Sequence, residues 1–174
     1  MSMKKQTIFL VATIVVLLVI VIAGAEIRIK IGDSESNESV ITEVRAAVVD
    51  YYYGFSNFSP TQIADELYGA PLSRVSLDGT TTVWNTEEEV MEMVRGFISN
   101  LEEQQWYRSD MPIYEICVLG PKTAFVSGTF IRYREDDSEI GQTGLTYLYQ
   151  NKSEGWRVTS MIYQSNDIDI RCRS

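Results

Sequence analysis

The sequence predicts an α+β domain in which three helices cover one face of a mainly antiparallel sheet, with one apolar segment ahead of them. Three observations carry this. Apolar residues recur at three- and four-residue steps through the middle of the chain, four β-rich runs joined by turn signals occupy 113–164, and the first 25 residues are a basic start followed by a long, uncharged apolar run. With 174 residues, 45% of them hydrophobic, the chain has the length and composition of one globular domain plus a leader.

The leader opens with Lys4 and Lys5, runs apolar from Ile8 to Ile22 and ends on Ala23-Gly24-Ala25. Counted from Ile8 to Ala25 it reaches 18 residues, enough for a helix to span a hydrocarbon core of roughly 30 Å. Two readings stay open. The long β-branched run favours an uncleaved membrane anchor through residues 8–25, whereas the small-x-small ending fits a signal peptide cleaved after Ala25. The basic flank puts the N-terminus inside. Either way the remainder is expected on the extracytoplasmic side, as a single-pass protein of the cell membrane or as a secreted or periplasmic one. Residues 26–39 then read as a polar tether, since Gly32 to Ser39 contains no apolar member.

The domain is expected over 40–166, followed by a tail, 167–174. From Val40 a helix is indicated by Ile41, Val44, Val48, Tyr51, Tyr52 and Phe55, and Asn57 ends it. Ser59-Pro60-Thr61-Gln62 signals the next helix: Ser59 as cap, Pro60 at the first helical position and Gln62 closing a capping box. Gly69-Ala70-Pro71 is expected to stop that helix. Leu72 to Leu77 alternates like a strand before an Asp78-Gly79 turn. Thr86 and Glu89 form a second capping box, and the acids between them suit a helix N-terminus better than a cation site. Val90, Val94, Phe97, Ile98 and Leu101 line the helix that follows. After the Asp110-Met111-Pro112 break come the strands IYEICVLG, TAFVSGTFIRYRE, TGLTYLYQ and GWRVTSMIYQ.

Composition excludes several chemistries. Without Lys4 and Lys5 the chain carries 13 basic against 24 acidic groups, a net of −11, which argues against nucleic acid as a partner. There are no histidines, so imidazole bases, histidine-assisted nucleophiles and imidazole metal ligands are all excluded. Two cysteines cannot build a structural zinc site, and neither cofactor nor metal is expected. Cys117 reads as a buried small hydrophobe; pairing with Cys172 in an oxidising compartment stays open.

The helix VRAAVVDYYYGFS, the strand and turn VSLDG, the segment TEEEVMEMVRGFISNLEEQQW, the hairpin LGPKTAFVSGTFIRY and the ending YLYQNKSEGWRVTSMIYQ together resemble the nuclear transport factor two-like superfamily, also called SnoaL-like or cystatin-like cone folds, in an uncharacterised bacterial branch. The resemblance covers about Val44 to Gln164 and implies a strongly curved, cone-shaped sheet. It also implies that dimerisation through the open sheet face is common among such folds. Ketosteroid isomerases of this fold use a helix tyrosine, an aspartate base and a protonated aspartate on the penultimate strand. Carried over, the penultimate-strand position falls near Tyr147, and the base falls around Ser76 or Leu77 with Asp78 adjacent. The helix tyrosine is one of Tyr51, Tyr52 and Tyr53. Scytalone dehydratase chemistry depends on histidines and is excluded, and the Asp-Arg-Asp set of the epoxide hydrolases is not placed.

The three tyrosines sweep about 200° of the helix, so they cannot share one face. Tyr52 continues the Val48 to Phe55 stripe and is the pocket candidate. Tyr147 and Tyr149 share a strand face, lining either a pocket or a solvated aromatic ladder. Trp84 is a further ligand-ring candidate, although Trp84, Trp106 and Trp156 all suit packing. The acid candidates for catalysis are Asp50 and Asp78. Arg132 to Asp137 reads as a solvated hairpin tip. The function expected is a non-catalytic exported domain binding a small apolar ligand or a protein of a membrane complex; the alternative is an isomerase, dehydratase or cyclase acting on a hydrophobic substrate.

Overall fold

The computed structural model describes residues 37–168 and 170–172. The leader and residues 26–36 of the tether lie outside them. The compact unit built up below is Ser39–Ser174.

Helix α1 is helical over 37–57. Its buried face is Val40, Val44, Val48, Tyr51 and Phe55, none more than 6% exposed. Residues 37–39, expected in the tether, are already helical, with the Ser39 hydroxyl donating to Glu43 at 3.2 Å. A polar first turn hides a helix start from apolar periodicity. Helix α2, Pro60–Leu67, starts on the expected box: the Gln62 amide donates to Ser59 Oγ, and Ser59 N–H donates to the Gln62 side chain.

Strand β1, Tyr68–Val75, follows α2 directly. It starts before the expected Leu72 and absorbs Gly69-Ala70-Pro71, because its pairing with β7 shifts register between Tyr68 and Ser73, where a missing proline N–H leaves no gap in the ladder. Ser76 and Leu77 instead form the turn, in which Gly79 takes a φ of +83°. Strand β2, Thr81–Trp84, returns beside β1. Helix α3, Glu87–Glu103, is capped by Thr86 as expected. The Glu89 carboxylate, however, accepts from the backbone N–H of Asn85, so the loop closes one residue earlier than a capping box would. Strands β3 (Arg108–Asp110), β4 (Tyr114–Gly120), β5 (Thr123–Tyr133), β6 (Glu139–Lys152) and β7 (Gly155–Gln164) complete the order. The short strands β2 and β3 carry no legible alternation and were not expected.

The strand order is β2-β1-β7-β6-β5-β3, with β4 also on β5. Only β1 and β7 pair in parallel, and the other pairs are antiparallel. Register shifts in four of these pairings bend the ladder, giving the curved sheet of an α+β fold. Strands β3 and β4 share one edge of β5, and the chain joining them passes Gly128 so closely that a Cβ there would sit 2.5 Å from the Ile113 carbonyl oxygen. No side chain fits at that crossing.

The helix-facing side of the sheet carries Ala124, Val126 and Phe130 of β5, Leu145, Tyr147 and Tyr149 of β6, and Val158 and Met161 of β7, all in one core with the helices. On the opposite side Thr146 stands 2.8 Å from both Ser127 and Gln164. The tail returns along that side: Gln164 bonds the Ile168 carbonyl, and Cys172 is disulfide-bonded to Cys117 of β4, closing the alternative left open in the sequence. Among the described residues no helix is long and apolar enough to cross a membrane.

Candidate functional site

Helix α1 drives its aromatic face into the bend of the sheet. Tyr51 and Tyr68 hydroxyls meet at 2.7 Å, and Tyr52 and Tyr147 hydroxyls at 3.1 Å. Tyr51 also packs on the rings of Tyr52, Phe55, Tyr68 and Tyr147 at centroid distances between 5.2 and 5.8 Å. Tyr149, 1% exposed, has a buried hydroxyl with no hydrogen-bond partner among the described residues. Burial pushes the phenols of Tyr51, Tyr52, Tyr68, Tyr147 and Tyr149 well above the ordinary tyrosine range, and their mutual proximity adds to this for most of them. At neutral pH they are therefore donors and acceptors of hydrogen bonds, never phenolates.

Between these rings lies a narrow slot of about 30 Å³, bounded by Tyr52, Tyr147, Phe97, Phe130, Ser109 and Arg132 among others. It adjoins an open groove of about 460 Å³ whose walls include Val48, Val49, Tyr53, Met111 and Tyr114. Tyr52 and Ser109 belong to both. The groove has the size usual for small-molecule sites.

Arg132 corrects the reading of a solvated hairpin tip. Strand alternation places it in phase with Phe130, and its guanidinium lies 4.9 Å from the Phe130 ring centre and 5.2 Å from that of Phe97. The exposed tip lies beyond it, from Glu135 to Glu139. The cue was available: counting in twos from Val126 reaches 132.

The structure brings Tyr52 and Tyr147 together at the slot; Tyr149 packs on Tyr147 at 6.1 Å but lines the separate groove that Asp50 borders, and the remaining candidates lie elsewhere. Trp84 packs on the core from β2 with the Arg74 guanidinium 5.4 Å from its ring centre. Asp78 is exposed in the turn after β1, where it accepts from the Thr80 N–H at 2.9 Å, and that bond holds its carboxyl below the usual range. Asp50 is exposed on α1 and borders a different groove, beside Glu43 and Trp156. Among the described residues no carboxylate lines the slot, and the groove's Asp110 is paired with Arg108 at 2.7 Å. Among the described residues no cluster of three His, Cys, Asp or Glu side chains is placed to hold a metal ion.

A helix tyrosine meets a penultimate-strand tyrosine inside the bent sheet, at the position where the isomerases of the cone fold carry a protonated aspartate. A family model described as "NTF2-like protein (DUF6841)" matches residues 42–166. The chain belongs to this NTF2-like family. Solved structures similar to the NTF2-like domain include Aln2 from a Streptomyces species, at 12% identity and TM-score 0.57, covering 74% of this chain and 92% of that one. An NTF2-like protein with a cystatin-like fold from Novosphingobium aromaticivorans aligns at 13% identity and TM-score 0.56, covering 72% and 81%. The yeast UBP3-associated protein BRE5 aligns at 14% and 0.56, covering 73% and 98%. At these identities the likeness shows the fold alone. No curated protein matches this chain.

The unpartnered phenol of the NTF2-like domain gives a direct test. A buried hydroxyl without a partner costs about 1–3 kcal/mol of stability. Tyr149→Phe is therefore expected to raise the unfolding free energy by about 1 kcal/mol, read as a higher urea midpoint with an unchanged slope. A lower midpoint would mean that Tyr149 does have a partner.

Proposed function

We propose that this NTF2-like domain is a non-catalytic, extracytoplasmic binding module that holds a small, mainly apolar ligand in the groove along α1, with the phenol-lined slot as its inner end. One observation carries the reading: the slot is walled by aromatic rings and hydroxyls and, among the described residues, contains no carboxylate, so it offers hydrogen bonds but no group able to take up a proton near neutral pH. With no histidine in the chain and the phenols pushed upward by burial, none of the usual general bases among the described residues faces the slot, and the groove's Asp110 is paired with Arg108.

The Cys117–Cys172 disulfide supports an oxidising destination, and the leader's sequence supports a route there, as an anchor or as a signal peptide. Mass measurement of the mature N-terminus separates these, a start at Glu26 favouring cleavage. An isomerase-type reading retains one supporting feature, the Tyr52–Tyr147 hydroxyl pair, which is arranged like a donor set for an oxyanion. It lacks a base beside that pair.

Titration of the purified chain with the neutral fluorescent probe N-phenyl-1-naphthylamine tests the binding reading. Saturable binding is expected, weakened at least tenfold by Val49→Glu, a substitution on the exposed groove wall that the fold tolerates. Non-saturable binding, or equal affinity in the variant, overturns it.

A further inference from the structure

The reading above leaves the polarity of the ligand open, and the hydrogen-bond inventory of the slot narrows it. Arg132 forms no ion pair among the described residues, although the nearby Arg108 is paired with both Asp110 and Asp137. Aromatic faces on two sides partly desolvate the Arg132 guanidinium, and among the described residues nothing negative lines its slot. A half-buried cation in such surroundings is completed by an anion.

The remaining polar groups agree. Ser109 lies directly across from Arg132 in the β3–β5 ladder, and its Oγ already accepts from the Trp106 indole N–H at 2.9 Å, which leaves its own proton to donate. Tyr52 and Tyr147 share one hydrogen bond between two hydroxyls, so one of their two protons is also free. The slot thus presents a guanidinium and two hydroxyl protons, with no anionic acceptor.

We propose that the ligand is an organic acid, its carboxylate seated in the slot against Arg132, Ser109 and the Tyr52–Tyr147 pair and its apolar or aromatic body lying in the groove. Dimensions support this division. A volume of about 30 Å³ admits about two water-sized groups, matching the two oxygens of a carboxylate, whereas the body requires the adjoining 460 Å³. The planar guanidinium fork engages such a head through two parallel N–H···O bonds. The chain's net charge of −9 does not oppose this, because the groove's own acid, Asp110, is paired with Arg108, and carboxylates more than a Debye length away are screened.

The proposal rests on the groove being a binding site, and the test separates the two. Calorimetric titration of the full chain at pH 7.5 compares 2-naphthoate with its neutral isostere 2-naphthamide. The acid is expected to bind at least tenfold tighter than the amide. Arg132→Met should remove that preference while leaving amide affinity within twofold, and Arg132→Lys should restore only part of it. Ser109→Ala, which leaves the guanidinium in place, should weaken the acid severalfold and so tests the site independently should Arg132→Met fail to fold. Equal binding of acid and amide by the wild-type protein, or a preference that survives Arg132→Met, overturns the proposal and leaves the binding module standing. Binding of neither probe overturns both.

Discussion

Above about pH 10 the domain is expected to lose stability steeply and to unfold cooperatively by about pH 11 to 13. Tyr51, Tyr68, Tyr147 and Tyr149 are each no more than 6% exposed, and burial raises all four above their unfolded value. A raised phenol favours the neutral form in the native state. Its contribution is therefore complete below the unfolded pKa near 10 and is lost as the pH climbs beyond it, when the unfolded chain releases protons that the folded one retains. Each phenol contributes about 1.4 kcal/mol per pH unit in that range, and four contribute about 5 kcal/mol. Against a typical domain stability of about 5–15 kcal/mol, about one to three units suffice. Far-UV circular dichroism and phenolate absorbance at 295 nm, followed together, decide it. The two should change in one step for these residues; absorbance that completes its rise while the dichroism stays native would show that the phenols ionise inside the fold and that the interior is wetter than described.

The second large effect is expected from Cys172→Ser. The Cys117–Cys172 bond joins β4 to the tail across a sequence separation of 55, a loop that contains β5, β6 and β7. Constraining a loop of that length in the unfolded chain is worth about 4 kcal/mol in the chain-entropy account. A loss of about 2–4 kcal/mol is expected, seen as a lower urea midpoint, and the wild-type protein under reducing conditions should match the variant. If reduction leaves the midpoint unchanged, the bond constrains nothing that matters to folding. The same bond holds the tail along the side of the sheet away from the helices, so amide exchange near Gln142 and Gln164 should quicken when it is cut.

Much of the fold was legible because its signals are local. The stripe of Val44, Val48, Tyr51 and Phe55 on α1, the Ser59–Gln62 box and the glycine turn between β6 and β7 each depend on residues a few positions apart. Strands β2 and β3 were not legible, because four and three residues are too few to display a period. The extent of β1 was misjudged for a different reason: Gly69-Ala70-Pro71 reads as a breaker unless a partner strand is known to shift register beside it. Arg132 was within reach of strand alternation and was obscured by the charged residues that follow it.

The sequence alone determined the helical and strand periods, the absence of histidine and the stock of tyrosines and cysteines, since these are properties of composition and of neighbours along the chain. Tertiary structure alone decided that Tyr52 meets Tyr147 across 95 residues, that Cys117 finds Cys172, and that Arg132 faces aromatic rings and hydroxyls with no acid lining its slot. Strand order and bend bring such groups together. Those depend on pairings between distant segments, as in the parallel contact of β1 with β7, which no local window of sequence contains.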